Sequence, residues 1–316
     1  MGLVRFFARR ILLTIPVLVG MSVVVFLLLR LVPGDPAQVI LGLRATPEGL
    51  AAVHRDLGLD LPWHRQYLHW VGNFLSGDLG QDYRSHIPVA VLLRQRLPVT
   101  LELAALSMLV SLCTAIPLGV AAAVRRGGAA DRAAMLLGLA GISIPDFWLA
   151  IMLVLFVALG LGVLPSSGFM PLTQNLVGNL RSMALPSLTL AAGLAAVLVR
   201  MTRASMLDVL SREYIKFARA KGLRNRVVVY RHALRNAAIP IITLLGLQSG
   251  YLLGGAVIVE QVFDLPGLGS LTVTATLERN YPVVQATALL IGLLFVVVNI
   301  ATDLVYGALN PRIRVG

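Results

Sequence analysis

Charged residues are sparse in this sequence, and the few that interrupt its apolar runs are the first candidates for chemistry. Glu102, Asp146, Glu260 and Asp303 sit in or at the ends of such runs. A charged side chain in hydrocarbon is expensive, so each of these either pairs at a helix end or serves a pathway. Glu260, beside the turn VFDLPGLGSL, is the best placed for a substrate path; helix-end pairing is the competing account. Four of the five histidines (His54, His64, His69, His86) fall between residues 32 and 98. The spacing of five between His64 and His69 does not put them on one helical face, and Cys113 is the only cysteine. They read as polar loop residues, and no metal is expected. There is no GxxxxGK[ST] phosphate cradle, no Ser-His-Asp pattern and no HExxH. The chain is therefore not expected to be an enzyme or to hold a cofactor, and any ATP must be bound by a partner.

The elements that would position these residues are membrane helices. The 316 residues are 57% hydrophobic and 13% charged, against roughly 25% charged in ordinary soluble domains. Six apolar runs lie at about 11–31, 99–124, 133–161, 184–201, 239–260 and 283–308. Each is near the ~20 residues that cross a bilayer as a helix. Pro16, Pro117 and Pro145 fall inside runs and predict kinks. The first run follows Arg5, Arg9 and Arg10, but it is longer than the roughly 7–15 residues of a signal peptide core and reads as an uncleaved anchor. With the N-terminus inside, 18 of the 27 basic residues face the cytosol. Seven of the other nine lie between Arg30 and Arg96, in or beside a long loop where the positive-inside rule has little force. The reading is an all-α polytopic protein with six transmembrane helices, N-in and C-in, in one domain.

Two soluble segments remain, an external loop of about 32–98 and a cytosolic loop of about 202–238. In the external loop, Thr46-Pro47-Glu48 predicts a helix start and Gly58 a stop. A second helix opens near Pro62 and carries Trp63, Tyr67, Trp70 and Phe74 along one stripe. That stripe suits either a membrane interface or a small packed core. The cytosolic loop contains YIKFARAKGLRNRVVVYRHALRNAAIP, with seven basic residues and no acid. At about 100° per residue, Ser211 would cap a helix with Glu213 in its first turn, Tyr214, Phe217 and Ala218 would share one face, and Arg212, Lys216 and Arg219 the opposite one. After Lys221, Gly222 turns the chain, and Leu223, Val227, Tyr230, Leu234 and Ala238 line up along a second helix. Anionic lipid and the positive-inside rule account for the charge, while a two-helix architecture suits a docking surface for a cytosolic partner. Aromatics opposite the charge argue against nucleic acid. Gly246, Gly250 and Gly254 recur every four residues in the fifth run and read as a helix-packing face, next to the pathway or purely structural.

At the basic loop the sequence resembles a family. Ala218, Gly222 and Leu234 fall at the spacing of the EAA loop of permease subunits in binding-protein-dependent ABC importers. Lys216, Phe217 and Arg235 depart from the general pattern in the manner of the peptide and nickel branch, here ARAKGL, RHALRNA and Pro240. RRILLTIPVLVGMSVVVFLLLRLVPGDP, LGLDLPWHRQYLHWVGNFLSGDLG, PVTLELA, VFDLPGLGSL and NPRIR also resemble the B-type permease of dipeptide and oligopeptide importers. The resemblance implies a type I ABC importer fold in the bacterial inner membrane. It also implies a heterodimer with a C-type permease, two ABC ATPase subunits and an extracytoplasmic solute-binding protein. On that resemblance Glu213, Tyr214, Phe217, Ala218, Arg219, Lys221, Gly222 and Leu234 belong to the element that couples to the ATPase. A nickel or metal-chelate importer of the same branch is the rival within the class. A stand-alone secondary transporter and a membrane scaffold with a nucleic-acid-binding basic loop are the rivals outside it.

Overall fold

The computed structural model describes residues 3–309 apart from 32–34, 43–44 and 57. The side chains of Arg5, Arg9, Arg10 and Asp303, and the residues Arg312 and Arg314, lie outside the described residues. In chain order the helices are α1 (Leu3–Leu31), α2 (Pro36–Leu41), α3 (Pro47–Asp56), α4 (Trp63–Leu75), α5 (Val89–Val124), α6 (Ala129–Ser143), α7 (Asp146–Leu153), α8 (Leu176–Ser211), α9 (Glu213–Ala220), α10 (Arg235–Val262), α11 (Leu268–Leu277) and α12 (Tyr281–Leu309). Wider π-helical turns extend α7 over Val154–Gly160 and precede α10 over Val227–Leu234. Among the described residues no strand forms beyond an isolated bridge between Gln81 and Pro88.

Among the described residues four helices are long and apolar enough to cross a membrane: Val89–Val124, Leu176–Ser211, Val227–Val262 and Tyr281–Thr302. The first expected run falls on α1, whose apolar described part is Leu12–Leu27. The third expected run, 133–161, is not one continuous helix. It is a pair, α6 and α7 with its π extension, bent by 103°. The bend sits at Pro145, which excludes its predecessor from helical geometry and has no N–H to donate. Ile144 is accordingly extended (φ −89°, ψ 120°). Pro16, Pro186 and Pro240, by contrast, lie inside helices that continue.

Two compact units divide the chain. The first comprises residues 1–3, 100–265 and 297–316. In it α8 packs against α6, α7 and α10, and small residues set the spacing. A Cβ on Gly119 would lie 2.6 Å from Thr202, and one on Gly141 2.8 Å from Ala196. Such positions let backbones approach where lipid offers no hydrophobic drive to association. The second unit comprises residues 4–99 and 266–296. Its core joins Val89, Leu92 and Leu93 of α5 to Leu268 and Ala275 of α11 and Val283 and Ala286 of α12.

The same unit holds the segment expected outside. Helix α3 ends as predicted, with Gly58 at φ +63° and its closing bond from Leu59 N to His54 O at 2.8 Å. Helix α4 begins after Pro62. Three of its four aromatics join a packed cluster. Tyr67 and Trp70 pack on Phe26 of α1 at ring distances of 5.3 and 6.0 Å, and Phe74 follows Trp70 at 6.2 Å. Trp63 stands apart, 55% exposed.

Candidate functional site

The basic segment folds differently from a symmetrical helix pair. Ser211 is the last residue of α8, and its hydroxyl donates to Asp208 O rather than capping the next helix. Arg212 occupies the N-cap of α9 with no side-chain cap bond. Helix α9 runs for eight residues and closes on Gly222 at φ +76°. Gly222 N donates to Arg219 O at 2.9 Å and Leu223 N to Ala218 O at 3.4 Å. This paired closure needs a left-handed residue at its centre. Glu213 lies in the first turn and Arg219 in the last, each at the end of the helix dipole that favours its charge.

The α9 face expected to be apolar is split. Ile215 is fully buried and Ala218 packs beside it, together with Val120, Met206, Val228 and Val229. Tyr214 and Phe217 point away, 41% and 65% exposed. Lys216 pairs with Glu213 at 3.1 Å on the surface. Beyond Gly222 the expected line Leu223–Val227–Tyr230 is not the buried one. Val228, Val229, Ala233 and Ala237 are buried, while Leu223 and Tyr230 are exposed. The cause is the winding. Val227–Leu234 is a π-helix, whose i→i+5 bonds widen the turn and move the stripe off a 100° projection. It runs directly into α10, so the segment is one short helix, a glycine turn and the start of a membrane helix. Leu234 is half-buried against this cluster, and Lys221 is exposed. Ile215 was missed because a lone Ile between Tyr214 and Lys216 leaves no periodic signal.

Three of the four membrane-depth acids, those whose side chains are described, have partners. Asn179 donates to Glu102 at 2.6 Å, and Tyr251 donates to both oxygens of Asp146 at 2.7 and 2.8 Å. Thr100 donates to Glu260 at 2.6 Å, and Glu260 is fully buried. Asp131 and Arg203, which the sequence did not single out, form a two-point ion pair, with Nη2 to Oδ2 at 2.9 Å. Of the four histidines between residues 32 and 98, His54 binds Asp35 at 2.8 Å. Among the described residues no group of three or more His, Cys, Asp or Glu could hold a metal ion.

The Gly246–Gly250–Gly254 series is not one contact face. A Cβ on Gly246 would collide with Thr302 of α12, whereas one on Gly254 would meet nothing within 4 Å. The neighbouring Gly255 takes the close contact instead, 2.8 Å from Leu190. Every-fourth spacing drifts by about 40° per step around a helix of 3.6 residues per turn, so the ends of the series face different neighbours. Gly246→Ala should therefore destabilise the purified chain by about 1–3 kcal/mol. Gly254→Ala should be neutral or stabilising, by at most about 1 kcal/mol of helix propensity. Thermal unfolding in detergent checks the pair, and equal shifts would refute this packing.

The family described as binding-protein-dependent transport system inner membrane component matches residues 115–315, and its N-terminal companion matches residues 3–104. This chain belongs to that family. It is therefore an inner-membrane permease component of a binding-protein-dependent ABC transport system rather than its ATPase. Among similar proteins, the glutathione transport system permease protein GsiC of Salmonella typhimurium is 42% identical over 312 residues, covering 99% of each chain. The dipeptide transport system permease protein DppB of Escherichia coli is 40% identical over 336 aligned residues, again 99% of each. Among solved structures, an inward-facing MetNI methionine ABC transporter chain matches with TM-score 0.59 at 20% identity, covering 70% of this chain and 97% of that one. At that identity the likeness establishes the fold alone.

Proposed function

We propose that this chain is the B-type permease subunit of an importer for short peptides. It spans the membrane six times with both termini in the cytosol, and it pairs with a C-type permease. Two ATPase subunits bind the ATP, and an extracytoplasmic binding protein delivers the solute. The observation that carries the substrate class is the 40–42% identity over nearly the whole chain to permeases named for a dipeptide and for glutathione, both short peptides. Coupling is assigned to α9 and Gly222. The exposed Tyr214 and Phe217 offer an apolar contact on a basic surface, and the buried Ile215 ties that contact to α5 and α8 through the shared cluster. A push on α9 thus reaches two membrane helices by direct packing.

Reconstitution with the partner subunits tests this reading. Di- and tripeptides should enter ATP-loaded proteoliposomes, and uptake of nickel or a metal chelate with no peptide uptake would overturn the substrate class. Reporters fused at Gly222 and near Ser76 should mark the inside and the outside respectively. Reversal at both sites would overturn the topology.

A further inference from the structure

Beside the aromatic contacts of α4 the second unit forms a half-open cavity of about 210 Å³, bordered by α1, α4, the 78–83 turn and the start of α12. Its polar lining includes Arg30, Gln66, Tyr83, Tyr281 and Gln285. Gln66, nearly fully buried, has its amide orientation fixed by Leu59 O at 3.0 Å and Leu61 O at 2.7 Å, to which its nitrogen donates. Its oxygen therefore faces Arg30 and accepts from Nε at 2.9 Å and Nη2 at 2.7 Å. That uses the side edge of the guanidinium. Nη1 makes one long contact, 3.4 Å to Phe26 O, and the ring of Phe26 lies 3.6 Å beneath the guanidinium carbon. A guanidinium has five N–H groups, so the end edge, with one N–H on each of Nη1 and Nη2, remains open. That edge is the fork that grips a carboxylate at two points.

No acid takes it. Among the described residues no carboxylate pairs with Arg30. Asp78, in the lining, accepts from Gly80 N at 2.9 Å, and Asp35, outside it, is held by Ala37 N and His54. Around the same space Gln285 is 5% exposed, and neither its amide nor the hydroxyls of Tyr83 and Tyr281 has a hydrogen-bond partner among the described residues. Burial pushes the Tyr83 hydroxyl up, the neighbouring Tyr281 adding to the shift and Arg30 opposing it, so Tyr83 stays a donor at neutral pH. The first turn of α12 contributes Tyr281, Pro282 and Gln285 to the wall, which brings the positive end of a long helix dipole to the cavity. A desolvated cation and several idle donors cost stability unless something fills the space.

We propose that this cavity is a carboxylate-binding subsite, in which the open edge of Arg30 receives the carboxylate and Tyr83, Tyr281 and Gln285 complete its hydrogen bonds. The expected occupant is the C-terminal carboxylate of a short peptide, held on the permease itself. The choice of a peptide rests on the functional reading above, whereas the carboxylate chemistry rests on the cavity alone.

The test titrates the full-length chain, in nanodiscs of uncharged phosphatidylcholine, with dialanine, its C-terminal amide and inorganic phosphate. Binding is read from the fluorescence of Trp70, which borders the cavity, in a Trp63→Phe, Trp148→Phe background. Dialanine should bind about tenfold or more tightly than the amide, the loss expected when a charge-assisted pair is removed. Arg30→Lys should cost a similar factor, because an ammonium cannot form the fork. Tyr83→Phe, which leaves the Arg30–Gln66 lock intact, should weaken binding by a smaller factor and covers the case in which Arg30 variants fail to fold. Equal binding of dialanine and its amide, or no effect of Tyr83→Phe on a bound carboxylate, would overturn the proposal. So would phosphate binding without dialanine binding, or occupancy only in phosphatidylglycerol discs, since either makes the site one for phosphate headgroups. Peptide uptake by the assembled transporter is measured in parallel. Uptake without carboxylate-dependent binding defeats the subsite alone, and binding without uptake defeats the peptide reading alone.

Discussion

Gly222→Val should reach the membrane in normal amount and yet lose most of its transport. The glycine sits at φ +76° with no atom within 4 Å of where a Cβ would be, so the penalty is conformational rather than steric. An L-residue in that region costs about 1–2 kcal/mol, and a β-branched one is a genuine outlier there. Relief comes from opening the closure made by Gly222 N and Leu223 N on Arg219 O and Ala218 O. That changes the angle at which Tyr214 and Phe217 are presented. ATPase co-purification and solute-stimulated ATP hydrolysis should fall together, with uptake reduced on the order of tenfold for the 1.4 kcal/mol that such strain represents. Gly222→Asn should retain most activity, because Asn tolerates the left-handed region. Lys216→Gln serves as the control. It removes only an exposed pair with Glu213, of a kind worth about 0–1 kcal/mol. Full uptake by Gly222→Val would show that the segment is a charged topology anchor with no role in force transfer.

The turn at Gly222, the stop at Gly58 and the start after Pro62 were all legible in the sequence, because each depends on one residue's backbone limits. The membrane helices were legible for a similar reason: hydrocarbon forces them into a single form. What the sequence hid depends on neighbours. Pro145 and Pro186 look alike in an apolar run, yet only Pro145 ends a helix; it follows Gly141 and Ser143, which support a helix poorly. The π turns of Val227–Leu234 carry no compositional mark, and they rotate the buried stripe from Tyr230 to Val229 and Ala233. The donor-lined cavity was invisible because Arg30 lies some 250 residues from Tyr281 and Gln285. Arg30 reads in sequence as one more charge at a span's end. Asp131 and Arg203 were hidden in the same way, as ordinary loop-edge charges 72 residues apart.

Glu260 is the sharper test of whether a membrane-depth acid belongs to the pathway or to the packing. It sits two residues before the end of α10, in the last turn, where the helix dipole disfavours an anion. It is also fully buried, which disfavours an anion again. The backbone around it is committed as well, since Glu260 O accepts from Leu265 N at 2.8 Å across the left-handed Asp264. A group so costly persists only where its partners hold it, and Thr100 of α5 does so at 2.6 Å. On this geometry Glu260 is a pin between α5 and α10. Glu260→Ala should lower stability by about 3 kcal/mol or more, through a cavity and the loss of the Thr100 hydrogen bond. Glu260→Gln, of similar shape, should cost less, and Thr100→Val only about 1 kcal/mol. Combining Glu260→Gln with Thr100→Val should give a coupling of about 0.5–3 kcal/mol, as for residues in direct contact. For a pin, stability and uptake decline together across the four variants. If Glu260→Gln instead keeps full thermal stability while uptake collapses, the carboxylate touches the solute and the pin assignment is wrong.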